Sequence, residues 1–282
     1  MLSFMSEQSR LQRIPFQEAE PVLIIDDRGR QHLLHLQKGY KSHHGRTGRI
    51  AHDDIIGKPP GLQCFTDQGR EFTCLRLTLE EFVLQKLKRH TQVIYPKDMG
   101  MFVVQGNLFS GARVLEAGLG SASLSTFLRS LLGSDGYLVS YERRPEFVEL
   151  AESTLRLYTK LYGESMARHR IEVRDVYEGI DETDLDTVLL DVPEPQRALQ
   201  AAASALRING VLVCWVPTAL QVFELVRSLQ DSPEWARVRS SETLLRPWRV
   251  GPRSIRPAQR MVGHTGFLIS ARRVERIEIK NI

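Results

Sequence analysis

Val114-Leu-Glu-Ala-Gly-Leu-Gly-Ser121 sets an apolar run directly before two closely spaced glycines, and a helix-forming segment follows at once. The run Arg113 to Glu116 reads as a buried strand and Ser121 to Leu132 as the helix after it. Gly118 and Gly120 let the backbone turn tightly and approach a ligand closely. The helix N-terminus behind them favours polar or anionic groups. Outward from this stretch the alternation continues. Tyr137 to Tyr141 is expected as a strand, Pro145 to Leu161 as a helix, and Ile171 to Val173 and Thr187 to Leu190 as strands. Gln196 to Leu206 follows as a helix, Val211 to Trp215 as a strand and Ala219 to Leu229 as a helix. Such β-α alternation predicts a parallel, doubly wound α/β sheet. Two more strands, Glu242 to Val250 and Gly263 to Arg272, are expected at the end, with an arginine-rich loop between them.

Acids mark three successive strand ends. Glu116 suits a cationic amino-acid moiety, Glu142 can take both hydroxyls of a ribose, and Asp175 can reach an adenine amino group. This constellation is typical of S-adenosylmethionine enzymes. A nicotinamide dehydrogenase would share the glycines and the second acid, but its G-x-G-x-x-G/A pattern ends here on Ser123. The fourth strand runs into Leu190-Asp191-Val-Pro-Glu-Pro195, where two prolines stiffen the loop at the carboxyl edge of the sheet. A carboxylate at Asp191 could hydrogen-bond an exocyclic amine, stabilise positive charge on a methylated base and accept its proton. Glu194 is expected near the site but exposed. Tyr95, in Tyr95-Pro96-Lys97-Asp98, could stack on or position a base. Pro96 stands where a helix can start, and Met99 to Leu108 is expected to be helical.

Before this core, short alternating runs (Pro21 to Ile25, His32 to Leu36, near Ile50, Gln63 to Phe65, Glu71 to Leu77) are punctuated by turns at Asp26 to Gly29 and Asp67 to Gly69. They predict a small β domain over 1–77. Thr78-Leu-Glu-Glu81 has capping-box spacing and opens a linking helix over 78–94, with Phe82, Leu84 and Leu87 facing inward. The core domain is expected to span 95–282.

The whole chain has 282 residues, 42% hydrophobic and 26% charged, with a net charge of +4. Three cysteines without a CxxC pair argue against a disulfide scaffold or a cysteine zinc site, and Cys64 and Cys74 are expected as buried free thiols. No secretory signal or membrane-spanning run is present, and cytoplasm is the expected compartment. Charge is unevenly distributed. Eight arginines (246, 249, 253, 256, 260, 272, 273 and 276) face one acid, Glu275, between 246 and 276, with Trp248 among them. Lys38, Lys41, His43, His44, Arg46 and Arg49 form a second basic stretch. Guanidinium forks beside an aromatic suit phosphate and base contacts, so folded RNA is the expected partner. Arg246, Trp248, Arg249, Arg253, Arg256 and Arg260 are the candidate contacts.

Several strings carry a more specific resemblance. They are His44-x-x-x-Gly48-x-Ile50-x-His52-Asp-Asp-Ile-Ile-Gly57, Thr91-Gln-Val-Ile-Tyr-Pro-Lys-Asp98, Leu115-Glu-Ala-Gly118-x-Gly120-Ser121, Leu190-Asp-x-Pro-Glu-Pro195, Arg246-Pro-Trp248 and Arg260-Met-Val-Gly-His-Thr-Gly-Phe267. Together they resemble the tRNA 1-methyladenosine methyltransferases acting at T-loop position 58. The resemblance implies a seven-stranded Rossmann-like class I methyltransferase domain with a small N-terminal all-β domain. It also implies S-adenosylmethionine as cofactor, tRNA as substrate, a homotetramer and no metal. Asp191 would be the catalytic carboxylate and Tyr95 its active-site neighbour; Glu116, Gly118, Gly120, Ser121, Ala122, Glu142, Asp175 and Asp191 would bind the cofactor. The chain departs from the family's usual Gly-Thr-Gly-Ser-Gly at Leu119 and Ala122, and Gln196 stands where an aromatic is common. A degraded cofactor loop would also fit a non-catalytic tRNA-binding subunit. A methyltransferase for proteins or small molecules is the other rival, against which the arginine patch speaks.

Overall fold

A computed structural model of the chain describes residues 14–43, 48–86, 94–163, 166–251 and 253–275. Two compact units emerge, one of residues 1–87 with 156–165 and one of 88–155 with 166–282.

In the first unit, strands β1 (Pro21–Asp26), β2 (Gln31–His35), β5 (Leu62–Phe65) and β6 (Glu71–Arg76) form an antiparallel sheet in the order β2-β1-β6-β5. A small ribbon pairs β3 (Lys41–His43) with β4 (Arg49–Ala51). The alternating apolar positions Val22, Ile24, Phe72 and Cys74 meet Ile50 and Ile55 in one core. Cys64 and Cys74 are buried free thiols. His52 is buried and serves a structural role. Its Nδ1 accepts from the Gln37 amide at 2.9 Å and its Nε2 meets Ser42 Oγ at 2.6 Å. The Thr78 capping box forms, with Glu81 N donating to Thr78 Oγ1 at 3.3 Å and Thr78 N to Glu81 Oε2 at 2.7 Å. It opens only a short helix, α1 (Leu79–Glu81), which continues as a π-helix over Phe82–Lys86. Phe82 and Leu84, two positions apart, fall on opposite sides of such a helix. Phe82 and Val83 are buried while Leu84, expected inside, is exposed. Leu87 lies outside the described residues.

The second unit contains α2 (Pro96–Gly106), β7 (Arg113–Ala117), α3 (Ser123–Leu132), β8 (Tyr137–Glu142), the first turns of α4 (Pro145–Tyr162), β9 (Arg168–Val173) and β10 (Leu185–Leu190). Then come α5 (Leu199–Ala205), β11 (Leu206–Val216), α6 (Ala219–Asp231), β12 (Trp235–Glu242), β13 (Trp248–Gly251), β14 (Ser254–Pro257) and β15 (Phe267–Arg273). The seven-stranded sheet has the order β12-β15-β11-β10-β7-β8-β9. β11-β10-β7-β8-β9 are parallel as expected, but β15 runs antiparallel to β11 and to β12. The expected strand over Glu242 to Val250 is corrected: β12 ends at Glu242, and the arginine-rich segment contains its own hairpin, β13–β14.

Alternation within each buried strand supplies both faces of the sheet. Val188, Leu190, Leu212 and Cys214 pack with Leu199, Ala202 and Ala203 of α5 and Leu225 and Leu229 of α6. Thr187 and Val213 point the other way, where Gly106 of α2 comes so close that a Cβ would lie 3.4 Å from Thr187 Cγ2 and 3.5 Å from Val213 Cγ2. No helix among the described residues is long and apolar enough to cross a membrane.

Gly266, just before β15, lies under the Trp215 indole, and a Cβ there would sit 2.3 Å from Cε2 and Cζ2. Gly266→Ala is therefore expected to destabilise the protein by about 1–3 kcal/mol through overpacking. Trp215→Phe in the same chain should recover part of the loss. Denaturant midpoints of the two variants check this; an unshifted Gly266→Ala midpoint would refute it.

Candidate active site

The chain runs outward from β7 through β8 to β9, then crosses back to place β10 on the other side of β7. The connections that leave β7 and β10 run to opposite sides at this switch point, which opens a crevice outside the carboxyl ends of the strands. Register sets its floor. Ala117 pairs with Leu190, so Asp191 stands beside Gly118, whose amide donates to the Asp191 carbonyl at 3.2 Å. A cavity open to solvent is lined by Gly118, Glu142, Arg144, Asp175, Tyr177 and Asp191, among others. A second cavity shares Gly118, Glu142 and Asp191 and adds Gly120, Trp215, Pro217 and Gln221. The three acids Glu142, Asp175 and Asp191 thus meet in one crevice.

Each acid has a distinct environment. Glu142 ends β8 and is 5% exposed. Its Oε2 accepts from the Gly120 amide at 3.2 Å, and its Oε1 from the Arg144 amide at 3.1 Å and Nε at 3.3 Å. A Cβ on Gly118 would lie 3.3 Å from Glu142 Oε2 and 3.6 Å from the Asp191 carbonyl, so glycine keeps this cradle open. Asp175 Oδ1 caps the short 3₁₀ turn after β9 by accepting from Tyr177 N at 2.9 Å, and the residue also lines the cavity. Asp191 is partly buried at the crevice. Burial, reinforced by the charge of Glu142, pushes its carboxyl up to about 7.

Glu116 sits elsewhere. It is 2% exposed beneath the loop, and its Oε2 accepts from Ser125 Oγ at 2.5 Å and Ser140 Oγ at 2.8 Å. Ser140 Oγ in turn meets His169 Nε2 at 2.8 Å, and burial drives that imidazole down to about 3, hence neutral. Burial also pushes Glu116 up to about 7 against its two serine hydrogen bonds, with the charges of Asp191 and Glu142 adding to the rise. Glu116 is thus held by serines of α3 and β8 and does not line either cavity.

Ser121 and Ala122 are buried in the turn into α3. Ala122 is its N-cap at φ 61° and ψ 26°, a left-handed conformation that costs an alanine about 1–2 kcal/mol. Tyr95 is the half-buried N-cap of α2 and is not among the residues lining these two cavities. Glu194 is exposed and paired with Arg197 at 2.9 Å. Strand-end reasoning passed over Arg144, Tyr177 and Trp215. Applied one strand further, to the end of β11, it would have found Trp215; Tyr177 needed the 3₁₀ turn that follows β9.

The family profile described as the tRNA methyltransferase complex GCD14 subunit matches residues 73–258, and the TrmI-like N-terminal profile matches residues 15–62. The chain belongs to the GCD14/TrmI tRNA methyltransferase family. A similar protein is the tRNA (adenine(58)-N(1))-methyltransferase TrmI of Thermus thermophilus, 36% identical over 90% of this chain and 96% of the relative. Among solved structures, a Thermotoga maritima protein described as a SAM-dependent O-methyltransferase superposes with a TM-score of 0.84 at 32% identity, covering 94% of this chain and 96% of that one. The tRNA (m1A58) methyltransferase TrmI of Aquifex aeolicus gives a TM-score of 0.80 at 27% identity, covering 93% and 100%.

In this GCD14/TrmI chain the arginine-rich segment is sorted by its hairpin. Arg249 faces Arg256, and Val250 faces Ile255. Alternation puts Arg249 and Arg256 on one face and Trp248, Val250 and Ile255 on the other. Arg246, Arg253 and Arg260 are also exposed. Like charges directly opposed destabilise a ribbon unless an anion sits on them. Arg272 and Arg273 leave the patch: Arg272 binds the Asn209 carbonyl and Arg273 Nε the Ala203 carbonyl at 2.8 Å. Arg276 lies outside the described residues, as do His44, Arg46 and Thr91 to Val93. In the second basic stretch, Lys38, Lys41 and His43 are exposed and Arg49 is paired with Asp67 at 3.0 Å. Among the described residues no cluster of three His, Cys, Asp or Glu side chains is arranged to hold a metal ion.

Proposed function

We propose that the chain is a cytoplasmic S-adenosylmethionine-dependent tRNA methyltransferase that forms 1-methyladenosine at T-loop position 58 and works as a homotetramer. The observation that carries the reading is the desolvated Asp191 carboxyl, standing beside Gly118 and Glu142 in the switch-point crevice of a chain of this family. S-adenosylmethionine suits the donor set: Glu142 offers a buried carboxylate for ribose hydroxyls, Asp175 an acceptor for an adenine amine, and Gly118 an open backbone cradle. When bound, it supplies an electrophilic methyl group.

The protein's own part is to place the base and manage charge. Adenine N1 has a free lone pair, so the acceptor needs no prior deprotonation. Methylation makes the base cationic, and Asp191 accepts the N6 hydrogen bond and then the proton that N6 sheds. A carboxyl whose affinity for protons is raised toward neutrality is a better acceptor than one near 4. The base reaches the crevice only if flipped out of the tRNA, and Tyr95 is the candidate to pack against it. Arg246, Arg249, Arg253, Arg256 and Arg260 would hold phosphates, with Trp248 as a stacking or packing surface. The exposed apolar face of Trp248, Val250 and Ile255 supports self-association, because such strips mark contact sites.

The test is transfer of labelled methyl from S-adenosylmethionine to an unmodified tRNA transcript, with the product mapped by mass spectrometry. Label in 1-methyladenosine at position 58 is expected. tRNA that binds tightly without gaining label would move the chain to the non-catalytic subunits, and label at an oxygen would contradict base methylation.

A further inference from the structure

The excursion between β12 and β15, residues 243–266, carries the β13–β14 arginine hairpin, and its two ends are clasped together. On one side Lys97 Nζ donates to Asp98 Oδ1 at 2.8 Å, to the Thr243 carbonyl at 2.8 Å and to Thr265 Oγ1 at 2.6 Å. Thr265 Oγ1 donates to Asp98 Oδ2 at 2.8 Å. This cluster is buried, with side-chain exposures of 7% for Lys97 and 0% for Asp98, and the ammonium, both carboxylate oxygens and the hydroxyl all have partners within it. On the other side stands His264. Its Nδ1 lies 2.6 Å from Glu242 Oε1, and its Nε2 lies 2.8 Å from the Pro217 carbonyl. Glu242 ends β12 at the root of the excursion, whereas Pro217 follows β11 and lines the crevice with Trp215 and Gln221.

A carboxylate and a carbonyl can only accept, so both ring nitrogens of His264 must donate. Neutral imidazole has one N–H, and only the imidazolium makes both bonds. We infer that His264, as the imidazolium, is a positioning residue that ties the root of the arginine hairpin to the crevice wall and so sets affinity for tRNA; this rests on the function proposed above. The groups facing it are Glu242 from β12, Lys97 from α2, which is paired with Asp98, the Pro217 carbonyl after β11, and the Phe267 ring of β15 at 4.9 Å between centroids. The Glu242 hydrogen bond and the Pro217 carbonyl hold the imidazole above its ordinary value, while Lys97 opposes them. As pH rises through that range, one of the two bonds must break, and the tie between the hairpin root and the crevice wall weakens while the Lys97 cluster stays in place.

Steady-state methyl transfer to tRNA, at saturating S-adenosylmethionine across the imidazole titration range, tests this with the full chain. Wild-type KM for tRNA is expected to climb with pH. His264→Gln, whose two N–H groups share one nitrogen and cannot reach the acceptors at both edges of the imidazole, should raise KM for tRNA about tenfold at the acid end, the effect of losing one charge-assisted hydrogen bond, and flatten its pH dependence. Its kcat should move less than about threefold, well below the change expected in KM. Glu242→Gln keeps an acceptor but removes the charge, and should shift the rise in KM to lower pH. An unchanged KM, a KM that still follows pH in His264→Gln, or a loss confined to kcat overturns the inference while leaving the proposed function in place. A wild type that transfers no methyl to tRNA overturns both.

Discussion

Asp191→Asn is expected to lower kcat for methyl transfer by about 10²–10⁴-fold, the range of a lost proton acceptor. The amide keeps the size and hydrogen-bonding reach of the side chain but cannot take the N6 proton. Stability should not fall with activity. Burial already opposes charge at this position, so a neutral isostere leaves no desolvated carboxylate behind. The melting temperature of the variant is expected to equal or exceed that of the wild type at pH 8. The same carboxyl sets a pH dependence. Its proton affinity is raised to about 7, and only the ionised form accepts, so wild-type kcat should rise about tenfold per unit below that pH and level off above it. The sign for stability is the reverse. The folded state holds this proton more tightly than the unfolded chain does, so the contribution is full at acid pH below the ordinary carboxyl range and is lost as pH rises toward 7. Glu116, also pushed to about 7, works in the same direction. Single-turnover rates and melting curves between pH 5 and 9 check both signs. An asparagine variant within about tenfold of wild type would remove Asp191 from the chemistry.

Glu142→Ala is expected to weaken S-adenosylmethionine binding by about 10²-fold or more. The wild-type carboxylate is buried, engages the Gly120 amide and Arg144, and borders both cavities. Truncation removes the acceptor expected for the ribose and frees the amide that shapes the loop. Two hydrogen bonds to a charged group are worth about 3–6 kcal/mol before relaxation and water return part of it. Calorimetric titration with S-adenosylmethionine reads the effect directly, and an affinity within about threefold of wild type would exclude Glu142 from the donor site.

The two variants separate the halves of the crevice, and their residues were legible to different degrees. Glu142 and Asp191 end apolar strands, and an acid there stands out because nothing in a buried strand calls for it. Glu116 has the same signature yet a different placement, since it lies one residue before the strand ends at Ala117. In a pleated strand that single step turns its side chain toward Ser140 and Ser125 and away from the crevice. The arginine count misled in a similar way. Arg272 and Arg273 belong to β15 and satisfy backbone carbonyls, whereas Arg249 and Arg256 face each other on an exposed ribbon.

By itself, the sequence determined the β-α alternation, the glycine turn after β7, the capping box at Thr78 and the acids at the ends of β8, β9 and β10. All of these rest on local periodicity and on residue types with strong backbone preferences, which neighbours within a few positions decide. Only the tertiary structure decided that β15 inserts antiparallel between β11 and β12, that Gly118 lies beside Asp191, and that Lys97 and His264 clasp the root of the arginine hairpin. Those facts depend on pairings across 22 to 168 residues of chain, where the register of strands and the desolvation of polar groups, absent from any local window, select one arrangement.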